Sequence, residues 1–290
     1  MVTHSSGNHA QALALAARES GLPAYVVMPT VSAAPKIAAT RGYGANVVFS
    51  GSTSVEREEV TARVVAETGA RLVPPYDHPD IMLGQGTMGL ELQEQVAELM
   101  GEGVVEGPSG LARAPVTRER VVPPPRKGKT GLDAMITPCG GGGMLSGVAL
   151  SAEGTGIKVF AAEPSFEGGD DGMRGYYAGQ RVERVSTLTI ADGLRTPLGV
   201  FPWSVIYERR LVAGMYSVTE EEIKAALRLV YERFKMVVEP SAVVGLAVAL
   251  YNEDFRAMVE KEAGEEGWDL GIVFSGGNVS LENLGNLFAA

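Results

Sequence analysis

The chain has 290 residues, of which 45% are hydrophobic and 21% charged, which excludes a largely disordered protein and fits a soluble globular protein of about two domains. No apolar run approaches the roughly 20 residues that span a bilayer, and residues 1–9 lack a secretory signal pattern, so we expect a cytoplasmic protein without membrane association. The formal net charge of −10 disfavours nucleic acid as a partner, and the single cysteine excludes an intrachain disulfide and a thiolate zinc cluster.

Short runs rich in Val, Ile and Ala alternate with longer segments of helical period. This alternation is typical of a parallel sheet with crossover helices, so the predicted fold class is α/β. Strands are predicted at residues 24–28, 46–49, 71–73, 132–137, 158–162 and 270–274.

Three helices are predicted from their apolar periodicity. The first follows Thr87, with a buried stripe of Met88, Leu92, Val96 and Leu99. The second begins at the capping box formed by Thr219 and Glu222, with a buried stripe of Ile223, Leu227, Val230 and Phe234. The third covers residues 242–250 and is almost wholly apolar.

The segment 101–131 interrupts this pattern. It mixes Gly, Pro, Arg and Lys without period and exceeds the usual connection of about 4–6 residues. We predict a disordered surface insertion there, with a functional loop as the alternative.

The strongest local motif is Pro-Cys-Gly-Gly-Gly-Gly-Met-Leu-Ser-Gly at residues 138–147, between a predicted strand and a helical segment. Consecutive glycines let backbone N–H groups converge on an anion without Cβ atoms in the way, and the helix N-terminus adds partial positive charge. A phosphate group is the expected ligand, and a flexible linker is the alternative. The motif matches neither a dinucleotide-binding Gly-x-Gly-x-x-Gly nor a P-loop.

Two further polar turns indicate a ligand site. Thr-His-Ser-Ser-Gly-Asn-His at residues 3–9 precedes an alanine-rich segment and offers donors for a carboxylate, although helix capping is an alternative explanation. Ser-Gly-Gly-Asn at residues 275–278 follows an apolar strand, and a simple Gly-Gly turn is its alternative. All three turns are predicted to lie at the carboxyl ends of strands, where open α/β sheets bind ligands.

In this order the motifs resemble fold-type II pyridoxal-phosphate enzymes, in particular the serine racemase and serine/threonine dehydratase family. The resemblance also uses Gly-Gln-Gly-Thr at 84–87, Ala-Glu-Pro-Ser at 162–165, Ile-Ala-Asp-Gly at 190–193 and Glu-Pro-Ser at 239–241. It implies twisted, parallel-rich sheets with helices on both faces. The small domain would cover residues 1–77 and the large, cofactor-binding domain residues 78–290.

The resemblance implies pyridoxal phosphate as the cofactor. Its binding residues would be Asn8, Gly140, Gly141, Gly142, Gly143, Met144, Glu239 and Ser275. Asn8 would bond the ring hydroxyl and Ser275 would face the pyridine nitrogen. Because a hydroxyl does not hold that nitrogen protonated, elimination would compete well with racemisation.

The resemblance further implies a small amino-acid substrate, serine or threonine. Its binding residues would be Ser5, Ser6, Gly7, Asn8 and His9. Ser6 matches the serine that the racemases place opposite the lysine, where it could exchange the α-proton. A carboxylate-binding hydroxyl, the dehydratase role, is the equally open alternative.

Glu163 and Asp171 match carboxylates that hold a divalent cation in this family, with the carbonyl of Gly169 between them. Hard oxygen ligands suit Mg²⁺ or Ca²⁺. The loop 166–169 carries two residues more than the family pattern, and a solvated acidic loop is the alternative. By the same resemblance Gln11 implies ATP as an effector, and a homodimer is the implied assembly.

The family supplies its Schiff-base lysine in a Ser-x-Lys-x-Arg-Gly stretch upstream of the serine-rich turn. No lysine here lies in such a context, and each is expected to be a surface charge: Lys36, Lys127, Lys129, Lys158, Lys224, Lys235 and Lys261. We therefore expect a chain truncated at its N-terminus, without the first elements of the large domain and inactive alone. The alternative functions are a catabolic threonine dehydratase and a non-catalytic fragment that binds the cofactor or an amino acid.

Overall fold

The computed structural model describes residues 1–100 and 131–289. The predicted disordered insertion, residues 101–131, therefore lies outside the described residues except for Gly131. Within the described ranges, no helix is long and apolar enough to cross a membrane.

The first sheet is parallel, with strand order β1-β2-β3. Its strands are β1 (Val2–Thr3), β2 (Tyr25–Pro29) and β3 (Asn46–Ser50). The helices between and after them are α1 (Asn8–Glu19), α2 (Ala34–Gly42) and α3 (Ser54–Thr68). Strand β2 carries the alternation that a two-sided sheet requires: Val26 and Met28 pack with the alanine face of α1, whereas Val27 packs with the valines of α3.

The second sheet is also parallel, with strand order β6-β5-β4-β7. Its strands are β4 (Ala134–Pro138), β5 (Lys158–Pro164), β6 (Gly214–Val218) and β7 (Leu270–Ile272). The chain then supplies helices α4 (Pro79–Met100), α5 (Gly143–Ala152), α6 (Asp171–Ala178), α7 (Val200–Trp203), α8 (Glu220–Leu229), α9 (Val244–Tyr251), α10 (Glu253–Ala263) and α11 (Leu281–Phe288). The division of the chain at residue 77 stays a prediction.

Helices cover both faces of the second sheet. Ile136 and Phe160 point into a core shared with α8, α9 and α10, while Met135 and Val159 point into the opposite core with α4 and α5. Strands buried on both faces must be apolar throughout, which is why β4 and β5 are recognisable as continuous hydrophobic runs. The predicted α/β fold with helices on both faces is confirmed.

Helices α4 and α5 are in backbone contact. A Cβ atom added to Gly147 would lie 2.2 Å from the carbonyl oxygen of Met82, and one added to Gly86 would lie 2.8 Å from the carbonyl oxygen of Gly147. The residues of α4 that are fully buried are accordingly Met82, Gly86 and Gly89. The helix begins at Pro79, before Thr87. The predicted buried stripe is wrong, because Leu99 is 38% exposed and Met88, Leu92 and Val96 are only partly buried.

Apart from α4, two predictions of secondary structure are wrong and two strands are missing from the predictions. Residues 71–73 form no strand, because only Leu72 makes an isolated bridge to Val2. Strands β1 and β6 were not predicted, since two residues carry no period and Gly-Met-Tyr-Ser-Val is not an apolar run. The capping box of Thr219 is present, but Phe234 is 59% exposed because a π-helical turn after α8 shifts the phase of its apolar stripe.

Candidate functional site

Two of the three polar turns leave the second sheet side by side. Strand β4 runs into the tetraglycine loop, residues 140–143, and β7 leads toward the turn at residues 275–278. These strands are parallel neighbours in which Ile136 pairs with Ile272. Their carboxyl ends therefore open at one edge of the sheet, as predicted for a ligand site in an α/β fold.

The serine-rich turn of residues 3–9 reaches the same edge through Asn8. The Asn8 side-chain amide donates to Glu239 Oε1 at 2.8 Å, and the Asn278 backbone N–H donates to Glu239 Oε2 at 2.9 Å. The Glu239 N–H in turn donates to the Gly276 carbonyl at 2.9 Å. Glu239 thus joins two turns that are more than 200 residues apart in the chain.

Burial raises the pKa of Glu239, and the hydrogen bond from Asn8 opposes that shift. A buried carboxyl that is held by two donors can remain ionised and fix the orientation of both. The Asn8 amide is therefore oriented by Glu239 while its remaining face is exposed.

The tetraglycine loop presents unused backbone donors. Gly142 adopts φ +85° and is the N-cap of α5, which begins at Gly143. Among the hydrogen bonds of the described residues, none uses the N–H groups of residues 140–144 as donors, whereas the Cys139 N–H is bonded to the Ala162 carbonyl. Unpaired amides at a helix N-terminus are the donor set that a phosphate group requires, so these residues fit the cofactor that the family implies.

The other side of the loop is closed by protein atoms. A Cβ atom added to Gly140 would lie 2.9 Å from the Cα of Leu194, and one added to Gly142 would lie 2.6 Å from Cδ2 of Leu198. Distances below 3.0 Å leave no room for a side chain. The glycines are therefore required by packing, and the linker alternative is wrong.

The serine-rich turn does not cap its helix with a side chain. Gly7 is the N-cap of α1 and no side-chain capping bond is present; Ser5 instead accepts a long hydrogen bond from the Gly7 N–H at 3.4 Å. Capping therefore does not explain the polar residues of the turn. The ring of His9 lies against the Val73 carbonyl, 3.2 Å from Nε2, and burial lowers its pKa.

Glu163 is the second-last residue of strand β5 and lies close to Asp171, which begins α6. Their residues are 1% and 2% exposed, so the alternative of a solvated acidic loop is wrong for them. Glu163 Oε2 accepts from the Met173 N–H at 2.7 Å, whereas Asp171 Oδ2 has no partner among the described residues.

Burial disfavours the charge of both carboxyl groups. Burial, followed by the nearby charge of Asp171, raises the pKa of Glu163 well above its usual range, and burial raises the pKa of Asp171 to about 6. In the described part of the chain, no group of three His, Cys, Asp or Glu side chains could hold a metal. A cation here would need carbonyl oxygens or water to complete its ligands, which is usual for Mg²⁺ and Ca²⁺.

Lys36, predicted to be a surface charge, is partly buried and ion-paired. Lys36 has a side chain that is 25% exposed, and its Nζ lies 2.6 Å from Oδ2 of Asp192. Asp192 precedes Gly193, whose N–H donates to Ser241. The ion pair thus connects α2 to the segment that lies beside the tetraglycine loop.

Sequence reasoning missed Tyr76 and Asp77, which lie beside the tetraglycine loop and at the start of α7. The Asp77 carboxylate accepts from the N–H groups of Val200 and Phe201 at 3.0 and 2.9 Å, and Tyr76 packs on the tetraglycine loop. The available signal was an aromatic and an acidic residue that follow two prolines between the first-sheet region and α4.

Comparisons with known proteins give matches over most of the chain. The family model for "Pyridoxal-phosphate dependent enzyme" matches residues 1–111 and 126–275. A serine racemase of Arabidopsis thaliana is 39% identical over 290 residues, which cover 99% of this chain and 75% of the relative. The structure of maize serine racemase matches with a TM-score of 0.80 and 38% identity, covering 99% of this chain and 75% of that one. The crystal structure of a T.th. threonine deaminase matches with a TM-score of 0.72 and 36% identity, covering 97% of this chain and 78% of that one.

Proposed function

The chain belongs to the pyridoxal-phosphate dependent enzyme family, and on that premise we propose that it is a serine racemase that also eliminates ammonia from serine and threonine. One observation carries the proposal. The unused N–H groups of residues 140–144 lie at the sheet edge where the turn of Ser275 and the oriented amide of Asn8 also lie. This donor set suits a phosphorylated, substituted ring.

In this proposal the backbone of residues 140–144 holds the phosphate, Asn8 and Glu239 orient the ring hydroxyl, and Ser275 faces the pyridine nitrogen. Bound pyridoxal phosphate would supply the electron withdrawal that makes the α-proton of an amino acid acidic. Ser5, Gly7 and His9 would surround the substrate carboxylate with the donors of the serine-rich turn. Since His9 already contacts the Val73 carbonyl, its part is to fix that turn.

Ser6 is proposed to give or take the α-proton on one face of the substrate. A racemase needs a proton-transfer group on each face, and a hydroxyl at the N-terminus of α1 is suited to one of them. If Ser6 only binds the carboxylate, its loss would instead weaken substrate binding for both reactions.

The decisive experiment uses a form of the protein in which a lysine holds the cofactor. It supplies pyridoxal phosphate and L-serine, then measures D-serine by chiral chromatography and pyruvate by a coupled assay. Ser6→Ala should lower the rate of D-serine formation by about 100-fold, the usual contribution of an acid–base group, and spare pyruvate formation. Ser20→Ala, at the exposed end of α1, is the matched control. Equal loss of both products would assign Ser6 to carboxylate binding.

A threonine dehydratase is the second candidate, favoured by the structural match to a threonine deaminase at 36% identity. It would convert L-threonine to 2-oxobutyrate and L-serine to pyruvate. Absence of D-serine alongside rapid 2-oxobutyrate formation would replace the racemase proposal with this one.

Covalent attachment of the cofactor needs a lysine amine. Borohydride reduction of the chain with pyridoxal phosphate, followed by peptide mapping, identifies any lysine that is labelled. The prediction that this chain is inactive alone requires that no lysine be labelled, and stoichiometric labelling of Lys36, the ion-paired lysine beside Asp192, would contradict it.

We further propose that Glu163, Asp171 and the Gly169 carbonyl bind Mg²⁺ or Ca²⁺. Asp171 Oδ2 is buried and has no partner in the described part of the chain, which supports this, because a divalent cation would offset the cost of burying two neighbouring carboxylates. Cation at about 100 times its Kd should stabilise the fold by about 2.7 kcal/mol. Thermal unfolding with added Mg²⁺, Ca²⁺ or chelator measures this. Asp171→Asn should abolish the shift, and Asp254→Asn in α10 should keep it.

We also propose that ATP binds near Gln11 as an effector and that the protein forms a homodimer. Gln11 Nε2 is buried without a partner among the described residues, which leaves a donor for a ligand. The exposed Phe234, Met236 and Val237 offer apolar surface for self-association. Light scattering tests the homodimer, and a monomer at high concentration would contradict it. Thermal unfolding with and without ATP tests the effector, and unchanged thermal stability would contradict it.

A further inference from the structure

The segment of residues 73–77, here called the crossover segment, connects the first sheet to α4 and is fixed at both ends. The Val73 N–H donates to the Val2 carbonyl at 2.8 Å, while the Val73 carbonyl contacts His9. At the other end the Asp77 carboxylate holds the first N–H groups of α7. The side chain between these anchors, Tyr76, is thereby held in one place.

The ring of Tyr76 lies flat against the tetraglycine loop. A Cβ atom added to Gly141 would lie 2.3 Å from Cγ and Cδ2 of the ring, and one added to Gly143 would lie 3.0 Å from the Tyr76 carbonyl oxygen. The Gly141 carbonyl also accepts a hydrogen bond from the Gly199 N–H at 3.1 Å. Gly141 is therefore held by both an aromatic contact and a hydrogen bond.

Four successive glycines form the most flexible backbone that a chain can contain, and glycine loses more conformational entropy on ordering than any other residue. A phosphate cradle made of amide N–H groups binds well only if those groups already point at one spot. The residues that pack against the loop must then keep it rigid, because its own backbone does not.

We infer that Tyr76 is a positioning residue that pre-orders the tetraglycine loop for the phosphate of the cofactor. It acts through Gly141, with its aromatic face as the functional part. Burial raises the pKa of Tyr76, so its phenol is neutral at physiological pH and adds no charge that would repel a phosphate. This inference rests on the proposed function, since it assigns a residue to the same cofactor site.

The experiment compares binding of pyridoxal phosphate with binding of pyridoxal, which lacks the phosphate, to the full chain by fluorescence titration. The phosphorus NMR signal of the bound cofactor is recorded in parallel. Tyr76→Ala should weaken pyridoxal phosphate binding about tenfold, because the loop must then be ordered on binding, and should leave pyridoxal binding within about twofold. Its phosphorus signal should broaden. Tyr76→Phe should match the wild type, because it keeps the ring.

A second pair of variants tests the contact directly. Gly141→Ala should weaken pyridoxal phosphate binding because its Cβ meets the ring, and adding Tyr76→Ala should recover part of that loss by making room. Gly285→Ala, at a glycine of α11 with open space around it, is the matched control. If Tyr76→Ala fails to fold, Tyr76→Leu takes its place in the titrations.

Unchanged binding in Tyr76→Ala, equal weakening of both ligands, or an additive Gly141 and Tyr76 double variant would overturn the inference. Its failure is distinguishable from failure of the proposed function. If the wild-type chain binds pyridoxal phosphate no better than pyridoxal, both the proposed function and the inference are contradicted. If the wild type prefers pyridoxal phosphate and Tyr76→Ala keeps that preference, only the inference is contradicted.

Discussion

The tetraglycine loop and the serine-rich turn face the same sheet edge but are built in opposite ways. The loop offers backbone N–H groups and is so tightly walled that a Cβ atom at Gly142 would lie 2.6 Å from Leu198. The turn offers side chains, and a Cβ atom added at Gly7 would meet nothing within 4 Å. The tetraglycine loop excludes side chains, whereas the serine-rich turn acts through its side chains.

This difference follows from what each region is proposed to bind. A phosphate accepts hydrogen bonds in many directions, so a ring of backbone donors at a helix N-terminus suits it and side chains would only intrude. A ring hydroxyl and a carboxylate have fewer acceptor directions, so single oriented side chains such as Asn8, held by Glu239, suit them. Substitutions should therefore act on stability in the loop and on ligand affinity in the turn.

The largest expected effect is that of Gly142→Ala. The residue has φ +85°, and the added methyl group would clash with Leu198 and Pro202, so the free energy of unfolding should fall by about 3 kcal/mol. Urea denaturation followed by circular dichroism measures it. Gly7→Ala is the matched change in the turn, with φ −123° and open space, and should shift the midpoint little. Equal losses of stability in Gly142→Ala and Gly7→Ala would contradict the proposed difference between the loop and the turn.

An intermediate effect is expected from Asn8→Ala. Loss of the 2.8 Å bond to Glu239 should cost about 1 kcal/mol of stability and should also weaken pyridoxal phosphate binding. Asn46→Ala removes a comparable bond to the Ala24 carbonyl in the first sheet. It should cost a similar stability while leaving cofactor titrations unchanged; if it weakens cofactor binding as much, Asn8 has no specific role.

The smallest effect is a pH dependence from His9. Because burial lowers its pKa, the unfolded chain binds a proton more readily, and the stability contributed by neutral His9 is present above about pH 6.5 and lost as the pH falls below that value. The slope for one proton is at most about 1.4 kcal/mol per pH unit. His9→Gln should remove this part of the dependence in denaturation series between about pH 5 and 8. His78→Gln, at a more exposed histidine, should keep it.

Strong periodicity and glycine clustering made most of the fold predictable. Strands β4 and β5 are apolar on both faces and stand out against their neighbours, and the capping box of Thr219 marks the start of α8 by chemistry local to four residues. The short strand β1 and the π-helical turn that exposes Phe234 were not predictable, because neither leaves a period in the sequence.

The site was predictable in part, for the same reason. The three turns carry unusual local composition, and parallel strand ends explain why the turns after β4 and β7 lie together. The serine-rich turn follows a strand of the other sheet, so its position depends on the long-range bond between Asn8 and Glu239. The part played by Tyr76, the burial of Glu163 and Asp171, and the pairing of Lys36 with Asp192 depend on residues distant in the chain.

The sequence by itself determined the α/β class and which turns carry donors, because strand period, helix caps and glycine runs are local properties of a few neighbouring residues. Only the tertiary structure decided which residues each glycine packs against, which carboxylates are buried and which side chain orients Asn8. Those outcomes depend on packing between segments that are far apart in sequence, and no local pattern encodes the distance between them.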